Sequence, residues 1–246
     1  MRWKGFILLL MLLMFFTAPV DTAQPAAGGA EVPRDAAAPG QTETPSKYVA
    51  LTFDDGPRRS TTARLLDGLQ ERGTSATFFL IGQQIPGNED LVRRMAAEGH
   101  QVGNHTYGHV KLAGADSQTI LTEISKTDAL LREVLEEDES YWLRPPYGLV
   151  DAQSAALVKV PMIRWSVDPE DWKVLNADKE VASVLKQVQP GDIILMHDFY
   201  PASVDAALRI IDQLQAQGYT FVTVKELFAL YGTEILPGGI YASPHE

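Results

Sequence analysis

From Lys47 onward, short apolar stretches alternate with segments whose apolar residues recur every three or four positions, and this alternation constrains the fold more than any other feature of the chain. Brief apolar runs bounded by turn formers suit buried strands, and residues 48–53, 76–80, 100–103, 141–143, 162–167, 192–196 and 220–224 are predicted as such. Helices are predicted over 61–72, 89–98, 117–137, 178–188, 203–217 and 225–230, with a further one between the fourth and fifth strands. Gly99 and Gly218 stand where helix stops are wanted. Within 117–137, the spacing puts Ile120, Leu121, Ile124, Leu131, Val134 and Leu135 on one face. Seven strands each followed by a helix predict the α/β class: parallel strands, right-handed crossovers, helices outside, and functional groups at the strands' C-terminal ends. A barrel and an open doubly wound sheet both satisfy the pattern.

The N-terminus has a different character. Arg2 and Lys4 precede an unbroken apolar run from Phe6 to Phe16, followed by Thr17, Ala18, Pro19 and Val20. This is the pattern of an export signal over residues 1–23. Ala23 suits the residue before a cut, but Asp21 occupies a position that wants a small residue, so a retained short membrane anchor stays open. Membrane contact is expected only through this segment, if it is uncleaved. Residues 24–46, rich in Ala, Pro, Gly and Thr without apolar period, are expected to form a flexible linker. The domain is expected over 47–231, with 232–246 as a C-terminal tail.

Composition then narrows the function classes. The absence of cysteine removes disulfides, thiolate metal sites, a cysteine nucleophile and a lipidated cysteine. A formal charge of -11 repels nucleic-acid backbones, so no nucleic-acid partner is expected. A monomer is expected.

Polar residues gather where this architecture places chemistry. Asp54 and Asp55 end the first strand, His105 and His109 follow the third, Arg144 the fourth, Asp168 and Asp171 the fifth, and His197 and Asp198 the sixth. On a helical turn, a four-residue separation puts the imidazoles of His105 and His109 on one face, within reach of one ion. A surface pair has the same spacing, so an acidic third ligand is needed, and Asp54-Asp55 can supply it. Two adjacent carboxylates pointing different ways let one bind a divalent metal while the other stays free as a base. The stiff Arg144-Pro145-Pro146-Tyr147-Gly148 loop can expose the Tyr147 N–H to an oxyanion. His197 is a candidate general acid, oriented by Asp171. Trp172 is either core filling or the wall of a sugar site. His100, at a strand start, and His245 are read as structural or incidental.

Together these motifs resemble the polysaccharide deacetylases of carbohydrate esterase family four, the NodB-homology domain. Five of them appear in the family's order: TFDDGP (Thr52–Pro57), HTYGH (His105–His109), RPPYG (Arg144–Gly148), DPEDW (Asp168–Trp172) and LMHD (Leu195–Asp198). The resemblance implies a distorted (β/α) barrel of about seven parallel strands. It also implies Asp54 as catalytic base, Asp55, His105 and His109 as metal ligands, and Arg144 as the group positioning Asp54. Tyr147 would help form the oxyanion hole, His197 would be the general acid tuned by Asp171, and Trp172 and Leu195 would line the acetyl pocket. Zinc is the expected ion, with cobalt or another divalent ion suiting the same donors. Gly108 and Phe199-Tyr200 depart from the family pattern at positions that are not implied ligands. The run from Trp165 to Lys173 looks most like bacterial peptidoglycan N-acetylglucosamine deacetylases, which agrees with an exported protein at the cell wall or the outer face of the membrane. Chitin oligomers, acetylated xylan and a wall-binding protein without turnover are the alternatives.

Overall fold

The computed structural model describes residues 47–245; the expected export segment and linker lie outside the described residues. Strand β1 (Lys47–Asp54) is central, and its last six residues are buried. It pairs in parallel with β2 (Thr77–Leu80) on one edge and β5 (Ile193–His197) on the other, while β6 (Tyr219–Phe221) runs along its N-terminal half. β3 (Gln101–Asn104) continues the sheet beyond β2. Regular pairing stops there, but single parallel bridges carry it further. Asn104 pairs with Leu143, Leu143 with Met162 in β4 (Met162–Ile163), and Val167, five residues past Met162, with Ile194 in β5. The pairing therefore returns to its start, which is the distorted barrel the motifs implied.

Seven strands are present among the described residues, all paired in parallel, but the set differs from the expected one. Residues 141–143 form no regular strand but carry two isolated bridges, both at Leu143, because Pro145 and Pro146 follow after Arg144 and have no N–H to continue a ladder. The expected strand 162–167 shrinks to β4 plus the bridge at Val167, since its two ends serve different neighbours. A strand that was not expected, β7 (Ile240–Tyr241), pairs with β4, so residues after Tyr231 are built into the sheet.

Helices cover the outside: α1 (Arg59–Glu71), α2 (Glu89–Ala97), α3 (Ser117–Leu135), α4 (Ala152–Leu157), α5 (Asp171–Val174), α6 (Ala177–Gln187), α7 (Pro201–Ala216) and α8 (Val224–Tyr231). Local chemistry sets their ends. Asp116 caps α3 by accepting the Thr119 N–H at 3.0 Å, and Thr223 and Glu226 form a reciprocal capping box at the start of α8. Gly99 and Gly218 take positive φ (81° and 83°) at the expected stops. On α3 the buried stripe is Ile120, Thr127, Leu131 and Val134; Leu121, expected on the same face, is 46% exposed because it stands one residue, about 100°, off that stripe. Among the described residues no helix is long and apolar enough to cross a membrane.

The strands' period of two decides what reaches the site. Val49, Leu51 and Phe53 of β1, with Ile194 and Met196 of β5, join Leu65, Leu66 and Leu69 of α1 and Ile210, Ile211 and Leu214 of α7 in the main core. Full burial of each such large side chain stabilises the fold by about 1.5–3 kcal/mol. The alternate residues, Ala50 of β1 and Ile193 of β5, meet Phe79 and Ile163 in a second cluster. That alternate register continues through Thr52 to Asp54 and through Leu195 to His197, so both strands deliver their last such residue to the same end of the barrel.

Candidate active site and metal centre

Asp54 and Asp55 follow one another in sequence but serve different neighbours. Asp54, almost fully buried, accepts a hydrogen bond on Oδ1 from Arg144 Nη1 at 2.8 Å. Arg144 has no exposed surface, and its guanidinium also donates to Thr52 Oγ1 (2.7 Å), Ile163 O (3.2 Å) and Arg164 O (3.0 Å). Its Cζ lies over the Phe79 ring, 4.2 Å from the centroid. Burial pushes the Arg144 pKa below the usual arginine value, and the charge and hydrogen bond of Asp54 work against that. Arginine titrates so far above neutrality that Arg144 keeps its charge. Asp54 is thereby fixed with Oδ2 toward the histidines, 3.6 Å from His105 Nε2.

Asp55 has a left-handed backbone (φ 72°). Its Oδ1 is buried with no hydrogen-bond partner, 3.5 Å from His105 Nε2 and 3.6 Å from His109 Nε2. A buried carboxylate oxygen without a donor is costly, and its nearest neighbours here are two ring nitrogens that also carry lone pairs. One atom from each of Asp55, His105 and His109 lies within 4.8 Å of the others. Ligands at about 2.0–2.1 Å from a tetrahedral zinc stand about 3.3 Å apart, close to the spacing found. His105 Nδ1 donates to Arg144 O at 2.7 Å, which leaves Nε2 as the free lone pair. Burial, and then the charge of His105, lower the His109 pKa, which favours the neutral imidazole that a metal requires. The donor set therefore fits a divalent ion.

The path to this pairing is not the helical turn that the spacing suggested. Residues 105–109 form a loop in which Thr106 (φ 64°) and His109 (φ 56°) have left-handed backbone. The loop still brings the two imidazoles together, with ring centroids 4.9 Å apart.

Across the cavity, His197 Nδ1 lies 2.7 Å from Asp171 Oδ1, and the His197 backbone N–H donates to Asp171 Oδ2 at 2.8 Å. Burial opposes charge on His197, but the hydrogen bond and charge of Asp171, followed by Asp54 and Asp55, outweigh it and raise the pKa to about 9. The imidazole is cationic at neutral pH, with Nε2–H left to the cavity. Next to it, Asp198 is fully buried and receives a short hydrogen bond from the Thr62 hydroxyl. Burial pushes its carboxyl up to about 7, against the effect of Thr62.

A cavity of about 420 Å³ joins these groups. Of the ten residues expected at the site, Asp54, Asp55, His105, His109, Tyr147, Trp172, Leu195 and His197 line it. Arg144 and Asp171 stand behind the wall, each bonded to a lining residue. Tyr147 has positive φ (61°), and its ring meets His109 edge-on at 4.8 Å. Among the described residues its amide meets no acceptor, whereas those of Gly148 and Leu149 close the turn onto Pro145 and Pro146. Trp172 is half exposed, which places it on the rim rather than in the core. Trp165, Asp168 and Tyr200 also line the cavity and had been given no role. A signal for Trp165 existed, since it alternates with the inward residue Ile163; Tyr200 follows the end of a strand, where no periodicity reaches.

A parallel barrel with three side chains placed to hold a metal ion, and with an Arg144–Asp54 and a His197–Asp171 pair at the same end, defines a hydrolase-like class of site. The family described as Polysaccharide deacetylase matches residues 41–161, and the chain belongs to that family. It is 39% identical over 199 residues to the peptidoglycan-N-acetylglucosamine deacetylase PgdA of Listeria monocytogenes, covering 80% of this chain and 41% of that protein. It is 38% identical over 187 residues to the peptidoglycan-N-acetylglucosamine deacetylase of Bacillus cereus, covering 73% of this chain and 68% of the relative. The solved structure of peptidoglycan deacetylase PdaC from Bacillus subtilis superposes with a TM-score of 0.74 at 37% identity, over 76% of this chain and 93% of the other. The chain thus spans about two fifths of the Listeria protein's length.

Proposed function

We propose that the chain is a metal-dependent hydrolase that removes N-acetyl groups from N-acetylglucosamine units of a cell-wall polysaccharide, peptidoglycan foremost, releasing acetate. The observation that carries this reading is the division of labour between the paired carboxylates: Asp55 leaves a bare buried oxygen to two imidazoles, while Asp54 is tied to buried Arg144. Asp55, His105 and His109 would hold the ion, zinc by donor preference, though cobalt suits the same set. When bound, a divalent ion supplies a Lewis acid and makes a water more acidic.

The chain's own residues do the rest. Asp54 Oδ2, free of Arg144, takes a proton from the attacking water. The Tyr147 N–H, whose turn is stiffened by two prolines, stabilises the negative charge that develops on the acetamide oxygen. His197, cationic and held through Nδ1 by Asp171, delivers the Nε2 proton to the departing nitrogen as the C–N bond breaks. Acetate and a free amine result. Trp172 and Leu195 give the acetyl group and sugar ring apolar contact. The basic and apolar N-terminal run supports export, which would bring the domain to its polymer.

Acetate release from N-acetylglucosamine oligomers, lost on chelation and restored by zinc, is the expected result. Asp54→Asn should lower turnover by roughly 10²–10⁴-fold while metal remains bound. Full activity in that variant would overturn the base assignment. A metal-loaded protein that releases no acetate from peptidoglycan, chitin oligomers or acetylated xylan would instead be a wall-binding protein.

A further inference from the structure

The loop that carries both histidine ligands lacks regular structure, yet its polar backbone groups are widely paired. His105 N–H donates to Leu80 O at 2.9 Å, and the carbonyls of Thr106 and Tyr107 accept the Gly82 and Gln83 N–H groups, each at 2.9 Å. Thr106 N–H donates to the Asn104 side chain at 2.7 Å, and Asn104 in turn donates to Asp128 Oδ1 (2.8 Å) and Ile124 O (3.0 Å) on α3. Gly108 N–H donates to Glu123 Oε2, also on α3, at 2.7 Å. Helix α3 therefore grips the loop twice, at Asn104 beside His105 and at Gly108 beside His109.

The two ligands are not equally braced. His105 has its ring fixed by the Arg144 carbonyl. Among the described residues the His109 ring has no hydrogen bond; the rings of His105 and Tyr147 and the carboxylate of Asp55 stand beside it. Its backbone is left-handed (φ 56°), a conformation that a non-glycine residue keeps only when its surroundings impose it. The Gly108 peptide is the last hydrogen-bonded point before that residue. With Asp55, His105 and His109 read as metal ligands, we infer that Glu123 is a positioning residue: it fixes the Gly108 peptide and so aims the His109 Nε2 at the ion. Groups of this kind, one bond removed from the ligands, tune metal affinity by about 10–100-fold.

A surface acid on a helix would serve equally as a mere solubilising charge, and the choice of variants separates the two. Glu123→Gln keeps an oxygen that accepts the Gly108 N–H, whereas Glu123→Ala removes it and leaves a good helix former. Zinc affinity, read by competition with a chromophoric chelator, should fall about tenfold or more in Glu123→Ala and stay within a few-fold of the parent in Glu123→Gln. Metal-free thermal melting should be unchanged in both, and acetate release by the alanine variant should recover at saturating zinc.

Parental affinity in Glu123→Ala overturns the assignment, as does an equal loss in Glu123→Gln, which would make charge the cause. A lowered metal-free melting temperature overturns it by making Glu123 a general structural residue. Because zinc binding is read without polymer, a protein that binds zinc but releases no acetate refutes the deacetylase reading alone. A parent chain that binds no zinc refutes both.

Discussion

Asp171→Asn isolates the electrostatic brace behind His197. The raised His197 pKa, from 6.5 to about 9, corresponds to roughly 3 kcal/mol in favour of the imidazolium. Among the groups that raise it, Asp171 leads through its hydrogen bond and its charge, ahead of Asp54 and Asp55. A dication beside Asp54 and Asp55 offsets their charges, so in the loaded enzyme Asp171 carries still more of the effect. Asparagine keeps the shape but loses the charge, while burial, which lowers the pKa, remains. The basic limb of the rate profile should therefore move from the alkaline side toward neutrality or below, because the proposed general acid loses its proton earlier. Acetate release measured across the neutral and alkaline range reads this, and the loss at neutral pH should lie within the roughly 10²–10⁴-fold that general acids contribute. Stability should change with the matching sign: the folded pKa lies above the unfolded one, so the contribution is full below about pH 6.5 and fades as pH rises through about 9. Asp171→Asn should be less stable than the parent at neutral pH, with the gap narrowing in alkali. An unchanged basic limb would refute the assignment of His197 as the acid.

Arg144→Met leaves Asp54 buried without its cation and should lower unfolding free energy by about 3–5 kcal/mol in denaturant titration. Adding Asp54→Asn should recover part of that loss, and a double variant less stable than the single one would argue against an ion-pair origin. Gly56→Ala would place a Cβ 2.6 Å from both carboxylate oxygens of Asp198, which is fully buried and tied to Thr62. Overpacking of this kind costs about 1–3 kcal/mol, or roughly 2–4 °C in melting temperature per kcal/mol at this size, and activity should fall because the turn carrying Asp54 and Asp55 must shift.

Which parts of this fold and site could be read from the sequence follows from where the relevant forces act. Strands β1, β2 and β5 bury continuous apolar runs, so their own residues announce them. The barrel's closing segments do not, because one stretch of six residues, 162–167, pairs with Leu143 at one end and Ile194 at the other. β7 is two residues long and follows two glycines, so its pairing with β4 depends wholly on tertiary neighbours. At the site, the residue types and their strand-end positions were legible, but the means of convergence was not. His105 and His109 meet through left-handed backbone at Thr106 and His109, which no helical spacing rule describes. That conformation is held by Asn104 and Glu123, one on the strand before the loop and one on the helix after it. The two histidines are local in sequence, whereas the loop that aims them is tied to a residue 15 positions beyond Gly108, where a motif ends and only the fold supplies the contact.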